Sequence, residues 1–142
     1  MADGADPTRV AVVLNGVDFA ALDAAAAQQD GLPSFAEGPL VVCIARLEPV
    51  KGVEHFVRAA ALVDGATFVV GGTGSLESRL REIAAAQRGG SRVEFLGSVP
   101  SAAALMARSD VVVMPSLSEA FGLVAAEAMA LGRPVVVTRV GG

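Results

Sequence analysis

Leu40-Val41-Val42-Cys43-Ile44-Ala45, running straight into Arg46-Leu47-Glu48-Pro49-Val50-Lys51-Gly52, is the stretch that decides the fold of this 142-residue chain. Six apolar residues in a row, with no polar alternation, describe a strand that shows neither face to water. Pro49 and Gly52 then mark a turn that carries two cations. The same kind of unit recurs outward along the chain. Thr67-Phe68-Val69-Val70, Val93-Glu94-Phe95-Leu96, Val111-Val112-Val113-Met114 and Val135-Val136-Val137-Thr138 are further short apolar runs. Helical stretches separate them at residues 52–62, 76–88, 100–108 and 121–131. Buried strands alternating with helices predict an α/β domain, a doubly wound Rossmann-like parallel sheet of order 3-2-1-4-5.

The flanks read differently. Met1-Ala2-Asp3-Gly4-Ala5-Asp6-Pro7 is polar and acidic, and residues 1–8 are expected to be disordered. Residues 9–38 look linker-like. They hold a strand-like run at 9–14 ended by the Asn15-Gly16 turn, then an Ala-rich helix at 19–29 stopped by Gly31-Leu32-Pro33. Residues 39–142 form the Rossmann-like domain. Because Gly141-Gly142 follows the fifth strand directly, this domain is expected to be truncated there. A net charge of −4 opposes a nucleic-acid binder, which would carry a basic excess. Cys43, the one cysteine, sits in an apolar run, so neither a disulfide nor a thiolate metal site can form within the chain. The N-terminus is unlike a signal peptide and no run reaches membrane-spanning length, so a cytoplasmic location is expected.

In the order 3-2-1-4-5 the first and fourth strands are neighbours, and ligands bind beyond their carboxyl ends. Loop 46–52 must therefore meet loop 115–122. The first brings Arg46 and Lys51. The second, Pro115-Ser116-Leu117-Ser118-Glu119-Ala120-Phe121-Gly122, brings a carboxylate and the start of a helix. Cations beside a helix N-terminus suit a phosphate or diphosphate. The helix continues as Leu123-Val124-Ala125-Ala126-Glu127-Ala128-Met129-Ala130-Leu131, apolar on all sides except at Glu127. Such a segment is expected to be buried, and a buried carboxylate calls for a partner. Glu127 lies about 10 Å along the axis from the helix start. A ligand with phosphates at the helix tip and hydroxyls along its flank would serve both features, and a nucleoside diphosphate sugar has that shape. Plainer roles stay open: Arg46 and Lys51 as solvated charges, Glu119 as a cap, Glu127 as a structural carboxylate. Gly72-Thr73-Gly74 fails as a nicotinamide fingerprint, since Glu77 takes the place of the third glycine and the loop follows the second strand. His55 reads as a surface or packing residue.

Taken in order, Arg46-x4-Lys51-Gly52, Gly72-Thr73-Gly74-Ser75-Leu76, Val93-Glu94-Phe95-Leu96-Gly97-Ser98-Val99, Met114-Pro115-Ser116 and Glu119-Ala120-Phe121-Gly122-Leu123-Val124-Ala125-Ala126-Glu127 resemble a known set. It is that of the carboxyl-terminal, donor-binding domain of group 1 retaining glycosyltransferases, one half of a GT-B fold. The resemblance runs from about Val10 to the end. It implies that Arg46 and Lys51 hold the donor diphosphate and stabilise the leaving group, with Glu119 near the donor sugar. Phe121, Gly122 and Leu123 would face sugar and phosphate through their amides, and Glu127 would take the ribose hydroxyls. Base contacts would fall around Gly72 and Val99. No cofactor and no metal are implied. The acceptor (a sugar, lipid or small molecule) would belong to an amino-terminal domain outside this sequence, which also admits peripheral membrane contact. The 142 residues alone are then expected to be inactive, with at most weak donor affinity. Alternatives are a non-catalytic nucleotide-sugar-binding module that pairs with a separate acceptor domain, or an epimerase-like domain of the same fold.

Overall fold

The computed structural model describes residues 6–141. Of the stretch expected to be disordered, residues 1–5 lie outside the described residues and Pro7–Arg9 form a single 3-10 turn. Five parallel strands, β1 (Leu40–Ile44), β2 (Thr67–Gly71), β3 (Val93–Gly97), β4 (Val111–Met114) and β5 (Val135–Val137), form one sheet in the order β3-β2-β1-β4-β5. Side chains alternate between the two faces, as a pleated strand requires. Cys43, Phe68 and Val70 point to one face, and Leu40, Val42, Val69 and Val112 to the other.

On the first face lie α2 (Val53–Ala60) and α3 (Glu77–Ala86). Val53, Phe56, Val57 and Ala60 of α2 are all buried, at the i, i+3, i+4, i+7 spacing of one helical face. Phe56 packs tilted against Phe68, with the ring centroids 5.2 Å apart. Fully burying a side chain of this kind stabilises by about 1.5–3 kcal/mol. The second face carries α4 (Ala102–Arg108) and α5 (Leu123–Ala130). Ser101 caps α4 by accepting from the Ala104 amide at 3.1 Å. In the segment before β1, α1 (Phe19–Ala26) starts at the Asp18 cap and packs on the outside of α4, with the Ser101 hydroxyl donating to the Ala25 carbonyl at 2.9 Å. Arg108 completes the clasp, with its guanidinium 4.8 Å over the Phe35 ring and one nitrogen donating to the Pro33 carbonyl at 3.0 Å.

Two expectations need correction. Residues 9–14 do not form a strand: among the described residues no neighbouring strand offers them a ladder, and Val10, Val12, Val13 and Leu14 lie exposed. A strand-like sequence without a partner has no backbone hydrogen bonds to gain. Helix α5 is not buried throughout either. It rests on β4, β5 and α4 through Ala125 and Ala128, while Leu123 and Met129 stand 46% and 58% exposed. Its outward side has no covering element among the described residues.

Candidate functional site

The site lies where the sheet changes winding direction, beyond the carboxyl ends of β1 and β4. After β1 the backbone stays tied to its neighbours. The Ala45 amide donates to the Gly71 carbonyl at 3.0 Å, and the Leu47 amide to the Thr73 carbonyl at 2.8 Å. Leu47 itself is fully buried, so it plugs the loop into the core and leaves Arg46 on the rim. The 3-10 turn Pro49–Lys51 ends at Gly52, which is left-handed at φ +60° and lies so close to the Pro115 carbonyl that any Cβ would collide with it. Only glycine allows this approach. With the Leu117 amide donating to the Val50 carbonyl at 2.8 Å, the two loops are locked together.

This closure brings Lys51 onto Glu119. The ammonium nitrogen lies 2.6 Å from Glu119 Oε2, and both side chains are about four-fifths covered, at 21% and 17% exposed. Ser116, itself buried, donates its hydroxyl to the same oxygen at 3.2 Å. The Lys51 hydrogen bond, followed by its charge and the Ser116 hydroxyl, holds the Glu119 carboxyl below its ordinary range, against the partial burial that would raise it. Glu48, in the same loop as Lys51, is turned the other way and accepts from the Ser75 amide and hydroxyl at 3.1 and 2.7 Å. Arg46 has no ion-pair or side-chain hydrogen-bond partner among the described residues.

Arg46, Lys51, Ser116, Glu119, Gly122 and Leu123 are among the residues lining a cleft of about 250 Å³. A second hollow of about 350 Å³, formed in part by Gly72, Thr73, Ser98 and Val99, adjoins it and shares Arg46 and Val124. At the mouth of the first cleft α5 begins at Gly122 without a side-chain cap. The first amides of a helix have no intrahelical acceptor, so those of Leu123 and Val124 are available to an anion. Fixed positive charge, free amides and a carboxylate in one depression suit a phosphorylated, hydroxyl-bearing ligand. Among the described residues no group of His, Cys, Asp and Glu could hold a metal ion, and no helix is long and apolar enough to cross a membrane.

Of the residues singled out from the sequence, Arg46, Lys51, Glu119, Gly122 and Leu123 meet in the first cleft, and Gly72 and Val99 in the second. Phe121 and Glu127 line neither. Phe121 is half exposed. Glu127 is half-buried, and its carboxylate has no hydrogen bond or ion pair among the described residues, so the buried carboxylate in need of a partner is not found. It does stand three and four positions past Val124 and Leu123, on the helix side that reaches the clefts. The ion pair between Lys51 and Glu119 was not anticipated, although both loops were placed correctly. Ser116 was missed as well. It stands in the Met114-Pro115-Ser116 segment, one proline past the end of β4, where no role was assigned to it.

Residues 38–142 match the family model described as Glycosyl transferases group 1. The chain is 42% identical to D-inositol 3-phosphate glycosyltransferase of Salinispora tropica, over 97% of this chain and 33% of that protein. Its counterpart in Mycobacterium tuberculosis is 41% identical, over 98% and 31%. The chain thus spans about a third of the length of the curated relatives it matches. Among solved structures, Anabaena Alr3699/HepE in complex with UDP-glucose superposes with a TM-score of 0.77 at 29% identity, covering 98% of this chain and 41% of that one. The same protein in complex with UDP gives 0.76 at 30% identity, over 93% and 39%.

Proposed function

Because the chain belongs to the group 1 glycosyltransferases, we propose that it supplies the donor-binding wall of a transferase that moves a sugar from a nucleoside diphosphate sugar to an acceptor. The observation that carries this reading is the convergence of Arg46, Lys51, Glu119 and the uncapped start of α5 in one cleft. UDP-sugars are the first donors to test, since Anabaena Alr3699/HepE was solved with UDP and with UDP-glucose. The diphosphate would sit against Arg46 and the α5 amides, with the base in the hollow by Gly72 and Val99 and the sugar towards Glu119. An ammonium has three donors, so Lys51 can keep Glu119 and still reach a phosphate oxygen. Glu127 would take ribose hydroxyls one turn beyond Leu123.

In the transfer, the bond between the anomeric carbon and the phosphate oxygen breaks and the diphosphate leaves with its electron pair. Arg46, Lys51 and the helix amides would stabilise that charge, which is electrostatic catalysis by preorganised donors. With those cations present, no metal is called for. We place the acceptor hydroxyl on the face the diphosphate leaves: its oxygen forms the new bond to the anomeric carbon, its proton passes to the departing phosphate oxygen, and the anomeric configuration is retained. The lone buried thiol of Cys43, pushed up to about 12 by burial, is inert and suits a reducing compartment such as the cytoplasm. Arg46 lies exposed and the cleft is open to water, so these 142 residues alone should transfer no sugar. Calorimetric titration with UDP, UDP-glucose, GDP, ADP and NAD tests the donor reading. Diphosphate-dependent binding that Arg46→Ala weakens supports it; binding of NAD with none of the other nucleotides taken up overturns it.

A further inference from the structure

Loop 115–122 carries Glu119 yet has no regular structure, so its shape depends on what grips it. One grip comes from the β1 side, through the Leu117 amide and the Val50 carbonyl. The other comes from the residue just beyond β5. Thr138 donates its amide to the Met114 carbonyl at 3.2 Å, which extends the β4–β5 ladder by one step. Its hydroxyl donates to the Ser116 carbonyl. Ser116 is 1% exposed, and its own hydroxyl reaches Glu119 Oε2. Three residues past Thr138, Gly141 lies against the Glu119 carbonyl so closely that a Cβ would overlap it. A chain of contacts therefore runs from the sheet edge to the carboxylate in the cleft.

We propose that Thr138 is a positioning residue: by holding the Ser116 carbonyl it fixes the Ser116 hydroxyl, and through it the orientation in which Glu119 meets the sugar of the donor. This rests on the donor reading above and gives it a dependence on a residue that lines neither cleft. Lys51 and Ser116 address the same oxygen of Glu119, so together they set the plane of the carboxylate. Without the Thr138 hydroxyl the Ser116 carbonyl loses a donor, and the loop is free to turn. The diphosphate keeps Arg46, Lys51 and the α5 amides, none of which is bonded to Ser116 or Thr138, and would not register the change. The sugar would.

The test is calorimetric titration of the chain and its Thr138→Val, Thr138→Ser and Ser116→Ala variants with UDP and with UDP-glucose. Thr138→Val should weaken UDP-glucose by about five- to tenfold and leave UDP within about twofold, the loss expected from one neutral hydrogen bond. Thr138→Ser, which keeps the hydroxyl, should restore the unmodified ratio. Ser116→Ala breaks the next link and should reproduce the Thr138→Val loss, with the double variant no worse than either. If Thr138→Val does not fold, Ser116→Ala and Thr138→Ser carry the same comparison. Equal loss for both ligands, no loss for either, or failure of the serine variant overturns the assignment while the donor reading stands. If the unaltered chain binds neither UDP nor UDP-glucose, the donor reading falls and this inference falls with it.

Discussion

Helices α2 and α5 have the same length, and each follows a loop that lines the first cleft, but they are held in different ways. In α2 the apolar residues Val53, Phe56, Val57 and Ala60 are at most 2% exposed, while Glu54 and Arg58 pair at 2.8 Å on the outer side. In α5 the sequence is apolar nearly all round, yet only Ala125 and Ala128 are buried. Beside it Val136 and Val137 of β5 stand 58% and 48% exposed. A two-sided pattern states which face goes inward, and α2 obeys it. A uniform pattern says only that the helix has no face made for water, and the described residues cover about half of it. The cleft thus has one wall anchored in a closed core and one wall with its back open.

The sharpest way to break this comparison is to remove one large side chain from each helix. Phe56→Ala should cost about 3–5 kcal/mol, as a buried aromatic leaves a cavity against Phe68. Met129→Ala, at a site already more than half exposed, should stay within about 0.5 kcal/mol. Urea unfolding of both variants measures the difference, and similar losses would mean that the back of α5 is covered after all. Gly52→Ala probes the seam between the walls. A Cβ there meets the Pro115 carbonyl in a left-handed turn, so about 1–3 kcal/mol of stability should go, and UDP binding with it. Unchanged unfolding would show that the seam can open without cost.

On the cleft side the contrast is between two arginines. Arg46→Ala should weaken UDP binding by about 10–100-fold, the range for a hydrogen bond to a charged group. Arg58→Ala removes an equal charge from the outer face of α2, where its partner is Glu54, and titration should find UDP affinity unchanged. If both variants weaken UDP alike, general charge and not the cleft attracts the nucleotide.

Much of this was legible in the chain. The five strands could be found because a strand buried on both faces is a continuous apolar run, and Leu40–Ile44 and Val111–Met114 are such runs. Their order then placed Arg46, Lys51 and Glu119 together without any knowledge of side-chain geometry. What failed was inference about surroundings. The run at 9–14 has strand-like residues but no neighbour, and Glu127 has apolar flanks but reaches water. Periodicity reports what an element prefers and is silent on whether a second element arrives to satisfy it. The link from Thr138 through Ser116 to Glu119 was invisible for another reason. It is made of hydroxyl-to-carbonyl bonds, and serine and threonine next to a strand end have no distinctive spacing.

The smallest effect expected concerns the ion pair that joins the two walls. Glu119 has an ordinary carboxyl value of 4.5, and in the folded chain the Lys51 hydrogen bond lowers it. A carboxyl depressed by folding stabilises the protein at every pH above its unfolded value. That contribution is lost as pH falls from about 4.5 through the lowered folded value, because the acid then binds protons more readily in the unfolded chain. Between pH 5 and 8 Glu119 should therefore give no slope. Glu48 and Glu54 are lowered too, by Ser75 and Arg58, so the acid limb as a whole will not vanish in any single variant. The informative quantity is the difference between the unaltered chain and Glu119→Gln. It should shrink on acidification below about pH 4.5, and its size should stay under about 1 kcal/mol, as for ion pairs that water still reaches. Lys51→Met removes the main cause of the lowering and should flatten the same part of the curve. Urea midpoints taken from pH 3 to pH 7 decide the matter: a difference that does not vary with pH would mean that Lys51 and Glu119 sit side by side in the cleft without holding its walls together.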